Sequence, residues 1–127
     1  MSKRRVVITG LGIISPVGNS VSSAWESLVA GKSGISRITR FDTSSFSSQI
    51  AGEVKDFDIH DYLSVKEARR MDIFIHYGMA AGMQAIKDAG IDDITGLASE
   101  RIGINIGSGI GGLPMIENTD SAYHAGG

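Results

Sequence analysis

The sequence holds 127 residues, enough for one domain at most. Apolar residues make up 42% and charged residues 20%, the values of an ordinary soluble globular chain, which excludes disorder, collagen and coiled coil. Its 12 basic and 14 acidic residues leave a formal charge of −2, too little positive excess to wrap nucleic acid; with no cysteine, the sequence holds no disulfide scaffold, thiolate metal site or cysteine nucleophile.

The basic start Met1-Ser2-Lys3-Arg4-Arg5 leads into an apolar stretch that Thr9, Gly10 and Gly12 interrupt, so no signal peptide is expected. Arg5-Val6-Val7-Ile8-Thr9 is β-branched and apolar without alternation, the pattern of a strand buried on both faces. Pro16 and Gly18 mark a turn, and Asn19 or Ser20 is placed to cap a helix whose Val21, Trp25, Leu28 and Val29 share one face. Gly31 would close that helix in the left-handed conformation. Residues 32–48, rich in Ser, Thr, Gly and Arg, read as a long surface excursion, and residues 49–54 as a short strand containing a glycine.

Ser64 precedes a helical stretch that carries Lys66, Arg69 and Arg70 and continues through a bend to Ala89, where Gly90 stops it. Between residues 73 and 83 apolar groups lie on every side, and Gly78 and Gly82 let another backbone approach. Such a helix requires cover all round, because each large apolar side chain left in water forfeits roughly 1.5–3 kcal/mol. This apolar run holds His76 and is well short of the roughly 20 residues a bilayer needs, so no membrane partner and a cytoplasmic location are expected. Arg101-Ile102-Gly103-Ile104-Asn105-Ile106 reads as a further buried strand, followed by a glycine cluster and a helix that tolerates Pro114 in its first turn. The closing Gly126-Gly127 reads as a loop. The order β-α-β-α-β-α implies an α/β layered sheet with right-handed crossovers.

Gly107-Ser108-Gly109-Ile110-Gly111-Gly112 matches G-x-G-x-x-G between a strand and a helix. A dinucleotide site, however, places that fingerprint after the first strand of its unit with an acidic residue about 20 positions on. Here it follows the last strand, and Gly10-x-Gly12-x-x-Ser15 lacks the third glycine. Close backbone approach is the plainer use of these glycines. His60, His76 and His124 have no metal or catalytic spacing and read as surface or satisfied core histidines. Ser108 has no nucleophile-elbow context. Asp92-Asp93 and Glu117 read as solvated charges. Lys66, Arg69 and Arg70, at i, i+3 and i+4, put three cations on one turn, either as an ordinary solvated face partly neutralised by Glu67 and Asp72 or as a surface that attracts an acidic partner.

The opening Arg4-Arg5-Val6-Val7-Ile8-Thr9-Gly10-Leu11-Gly12-Ile13-Ile14-Ser15-Pro16-Val17-Gly18 resembles the first strand and turn of the β-ketoacyl-acyl carrier protein synthases. The resemblance continues in order through Gly31-Lys32-Ser33-Gly34-Ile35, Arg40-Phe41-Asp42-Thr43-Ser44, Met71-Asp72 and Gly107-Ser108-Gly109-Ile110-Gly111-Gly112, and Ile110 within the last resembles the elongating, type II branch. It implies a layered thiolase-like fold, of which residues 1–127 would be the N-terminal part of the first half. It also implies a decarboxylating Claisen condensation that lengthens an acyl chain in fatty acid biosynthesis, with a cysteine nucleophile and two histidines.

Those three catalytic groups belong to later parts of the family's longer chain and are expected beyond Gly127. None is carried onto His60, His76 or His124, and the chain by itself is expected to be inactive. By resemblance, Ile110 is a substrate-binding side chain gating the acyl pocket, and Lys66, Arg69 and Arg70 form the docking surface for acyl carrier protein. The resemblance further implies a homodimer at full length, no metal, and no bound cofactor, phosphopantetheine arriving on the carrier. The chain would then be shortened, cleaved or one part of a longer polypeptide; a non-catalytic carrier-binding module is the alternative.

Overall fold

The computed structural model describes residues 3–91 and 98–126. Helix α1 spans Val21–Val29. Ser20 is its N-cap in a reciprocal box: Ser20 Oγ accepts from the Ser23 N–H at 3.2 Å, and Ser23 Oγ from the Ser20 N–H at 3.1 Å. The helix ends as Gly31 requires, with φ +65°. The Gly31 N–H donates to the Leu28 carbonyl and the Lys32 N–H to the Ser27 carbonyl, closing a Schellman motif.

Strands β1, Ile35–Arg37, and β2, Ile50–Gly52, pair antiparallel in the register Ile35 with Gly52 and Arg37 with Ile50. The strand expected in residues 49–54 is therefore present, and its partner lies inside the excursion that the composition marks as loop. Phe41 and Phe46 meet edge to face in the connection, beside the buried Thr43. A 3-10 turn, Ile59–Asp61, leads to the short helix α2, Val65–Ala68, and then to α3, Ile73–Asp88. The expected bend occupies residues 69–72, and α3 closes on Gly90, φ +67°, with the Ile91 N–H donating to the Ile86 carbonyl. After a second 3-10 turn, Ser99–Arg101, the left-handed Gly112 caps α4, Leu113–His124, which carries Pro114 in its first turn. Past α4 the exposed Gly126 turns left-handed, φ +85°. Of the closing pair read as a loop, Gly127 lies outside the described residues, and so do Asp92-Asp93.

The segment of residues 10–13 is seated along α3. The Leu11 N–H donates to Asp88 Oδ2 at 2.8 Å and the Ile13 N–H to Gln84 Oε1 at 3.2 Å. Glycine is needed here for close approach: a Cβ on Gly12 would lie 2.9 Å from both the Ala81 carbonyl carbon and the Ala85 amide nitrogen. Gln84 ties the junction together, its amide donating to the Asn19 carbonyl and to the Tyr62 hydroxyl, both at 2.8 Å. Ile106 reaches the same helix at Gly78, where a Cβ would meet its Cγ2 at 3.3 Å. The glycines at 78 and 82 thus receive the Ile106 side chain rather than the neighbouring backbone that their spacing predicts; the backbone approach falls instead at Ala81 and Ala85, opposite Gly12.

Among the described residues, however, β1–β2 is the only sheet. Residues 5–9 and 101–106, expected as buried strands, form no ladder and are exposed, Arg101 closing the second 3-10 turn, Val6 exposed by 88%, Ile8 by 83% and Ile104 by 72%. A run that is apolar on both faces becomes a buried strand only when hydrogen-bonded neighbours and a covering layer are supplied, and neither is present among the described residues. Nor is α3 enclosed: its Ala80 is fully buried, while Phe74 and Met83 remain more than a third exposed. A folded monomer of this mass exposes about 6,500 Å² by size scaling, whereas this chain exposes 10260 Å².

Candidate functional site: a basic turn and a glycine loop at the two ends of one aspartate

α2 is a single helical turn, too short to persist by propensity alone, and its geometry is fixed by its ends. Ser64 caps it in a box with Glu67: the Ser64 N–H and hydroxyl both donate to Glu67 Oε2, and the Glu67 N–H donates to Ser64 Oγ. Donation from the Ser64 side chain, then from its backbone, holds the Glu67 carboxyl below the ordinary glutamate range. Beyond Ala68 the chain tightens, the Arg70 N–H donating to the Glu67 carbonyl and the Met71 N–H to the Ala68 carbonyl.

Lys66, Arg69 and Arg70 are thereby gathered within one turn and its continuation, and all three are exposed. Among the described residues none of them has a carboxylate within 4 Å. The two acids that could have neutralised the turn are engaged elsewhere. Glu67 is held by Ser64. Asp72 caps α3 through Oδ1, which accepts from the Ile73 N–H at 2.6 Å, and its Oδ2 accepts from the Met115 N–H of α4 at 3.3 Å. Asp72 therefore joins the N-termini of two helices, each carrying the partial positive charge of unpaired amides. The sequence marks Asp72 only through Met71-Asp72 in the family resemblance and as a neighbour of the basic turn; its joining of two helix starts depends on tertiary placement.

The glycine loop ends at that junction. Gly111 and Gly112 are both left-handed, φ +61° and +68°, and a Cβ on Gly111 would crowd the Phe74 ring at 3.0 Å and Ser108 Oγ at 2.9 Å. These glycines fold the loop over the start of α3. The amide at the N-terminus of α4 that a phosphate would use receives the Asp72 carboxylate, which opposes the dinucleotide reading. Ile110, at the apex, is 81% exposed. It does not line the apolar cleft of ≈ 470 Å³ beside α3, whose walls include Ile14, Phe74, Gly78, Ile106 and Ser108.

The histidines lie apart. His60 is exposed in the 3-10 turn and His124 pairs with Asp120 on α4 at 3.5 Å. His76 is half-buried, and its Nε2 lies 3.0 Å from the Ala68 carbonyl, a satisfied core histidine as expected. Glu117 is an exposed charge on α4. Among the described residues no group of three metal-ligating side chains occurs, and no helix is long and apolar enough to cross a membrane.

Residues 3–126 match the family described as β-ketoacyl synthase, N-terminal domain. The 3-oxoacyl-[acyl-carrier-protein] synthase 2 of Vibrio harveyi is 57% identical over 122 residues, 96% of this chain and 29% of that protein. Its counterpart in Coxiella burnetii is 52% identical across 99% of this chain and 30% of that protein. The chain thus spans about three-tenths of the length of the curated relatives it matches. Among solved structures, a type II PKS acyl-carrier protein in complex with its ketosynthase bound to the hexaketide superposes with TM-score 0.73 at 29% identity, covering 94% of this chain and 31% of that one. The ishigamide ketosynthase/chain length factor gives TM-score 0.62 at 36% identity, covering 80% and 24%. The chain shares the thiolase-like fold of these ketosynthases over the part it covers.

Proposed function

The chain belongs to the β-ketoacyl synthase family through that family's N-terminal domain, and from this premise we propose that it is the carrier-docking part of an elongating 3-oxoacyl-[acyl-carrier-protein] synthase of type II. The activity is decarboxylating Claisen condensation in fatty acid biosynthesis. An acyl group moves from its carrier's phosphopantetheine to a cysteine thiolate. Malonyl-carrier protein then loses carbon dioxide, and the resulting carbanion attacks the acyl thioester, releasing the thiolate and leaving a 3-oxoacyl chain two carbons longer. The thiolate comes from beyond Gly127 in the synthase, since this sequence has no cysteine, and so, by the family resemblance, do the two histidines, which His60, His76 and His124 do not match; residues 1–127 alone perform no condensation. The synthase works in the cytoplasm as a homodimer with no bound metal or cofactor, phosphopantetheine being part of the substrate.

One observation carries the docking role: Lys66, Arg69 and Arg70 are exposed together while both neighbouring carboxylates are spent on helix caps. An acidic carrier meets three uncompensated positive charges, which raises its encounter rate and orients it. The carrier-bound ketosynthase among the structural neighbours supports the same type of partner. Ile110, exposed on a loop held by Gly111, Gly112 and Asp72, is the gating side chain of an acyl pocket that residues outside the chain complete.

The test is condensation by the intact synthase given acyl- and malonyl-carrier protein, followed by mass spectrometry of the carrier. A 3-oxoacyl product two carbons longer supports the proposal; thioester hydrolysis without condensation overturns it.

A further inference from the structure

The basic turn hangs on little. α2 has four residues, its N-terminal box is internal to the turn, and Ala68 is its buried side chain. Among the described residues, the one hydrogen bond between α2 and the long helix α3 runs from His76 Nε2 to the Ala68 carbonyl, 3.0 Å. A carbonyl only accepts, so Nε2 carries the proton. That carbonyl also receives the Met71 N–H, at 3.1 Å, which makes it the pivot of the tightened turn on which Arg69 and Arg70 sit.

We infer that His76 is a positioning residue for carrier recognition: through the Ala68 carbonyl its imidazole fixes the basic turn against α3 and so sets the affinity for the acidic carrier. Without that bond, the turn keeps its charges but not their placement. Exposed charges in water gain little from loose proximity and more from a held geometry, so ordering α2 before the carrier arrives spares that cost on binding. The inference rests on the docking role proposed above for Lys66, Arg69 and Arg70.

The experiment compares KM for acyl-carrier protein with KM for the same acyl group on free pantetheine, in the intact synthase. His76→Phe keeps a ring in the half-buried position and removes only the donor. It should raise the ratio of carrier KM to pantetheine KM about fivefold, the factor that one neutral hydrogen bond is worth. His76→Gln, which can donate to the same carbonyl, should restore the ratio to within about twofold on the same scale. His76→Leu reads the same loss should the phenylalanine variant fail to fold. An unchanged ratio in both apolar variants, or parallel losses with the two substrates, overturns the inference. Lys66→Glu with Arg69→Glu separates the two levels: if this double variant raises the ratio while the His76 variants do not, docking stands and the role of His76 falls. If it leaves the ratio unchanged, the docking role itself falls.

Discussion

Gly12→Ala would test whether the first segment is seated on α3 as described. On the present backbone the added Cβ lies 2.9 Å from the Ala81 carbonyl carbon and the Ala85 amide nitrogen, and closer still to the Ala81 carbonyl oxygen. Relaxed carbon contacts begin at about 3.5 Å. Every obstacle is helix backbone, so no rotamer change relieves the clash, and the segment must retreat. Overpacking of this kind costs typically about 1–3 kcal/mol. Retreat also strains the bonds from Leu11 to Asp88 and from Ile13 to Gln84, each worth about 1 kcal/mol. A loss of about 3 kcal/mol is expected. Urea unfolding of the intact synthase measures the loss. A Gly12→Ala variant as stable as the parent would refute the close approach and the account of why glycine stands there.

Lys66→Glu with Arg69→Glu should raise carrier KM about tenfold or more, since each exposed reversal exchanges an attraction of up to about 1 kcal/mol for a comparable repulsion; steady-state kinetics should show the difference shrinking as salt is added. Asp72→Ala removes acceptors from two helix starts and should destabilise by about 1–3 kcal/mol in urea, a cap alone being worth about 0.5–2. Asp42, Glu53 and Glu67 are held below their ordinary ranges chiefly by hydrogen bonds from Ser44, Thr39 and Ser64, respectively. A carboxyl whose folded pKa is depressed stabilises fully above its unfolded pKa and loses that contribution as pH falls through the folded value. Unfolding midpoints should therefore decline below about pH 4.5, and Glu67→Gln should make the decline shallower; an identical acid limb would contradict the Ser64 bond.

Much of this arrangement is legible from short-range chemistry. Ser20, Gly31, Ser64 and Gly90 signal helix ends through rules that involve only a few neighbouring residues, and each end falls where those rules put it. The pairing of Ile35 with Gly52 is not legible, because neither three-residue strand has a periodicity and the link between them is long. The runs at residues 5–9 and 101–106 carry strand character, but ladder formation depends on neighbours that an apolar pattern does not contain. At the site, the three cations are visible by spacing. That they are uncompensated is not, since it depends on Glu67 turning to Ser64 and Asp72 reaching Met115. His76 shows the same limit: its spacing fits no catalytic or metal pattern, and only the fold brings it to Ala68.

The high exposure of this chain belongs to the same picture. Large apolar side chains left in water forfeit burial free energy, and Val6, Ile8, Ile104 and Trp25, with Phe74 and Met83 of α3, are all exposed. In the proposed synthase, residues outside the chain cover them and bring the nucleophile.

The most direct test is to map where the acyl group rests. The intact synthase is incubated with acyl-carrier protein alone, quenched in acid, digested and sequenced by mass spectrometry. The account predicts a thioester on a cysteine peptide beyond Gly127 and no acylated peptide within residues 1–127. An acyl group on Ser108 or on any other side chain of this sequence would contradict it.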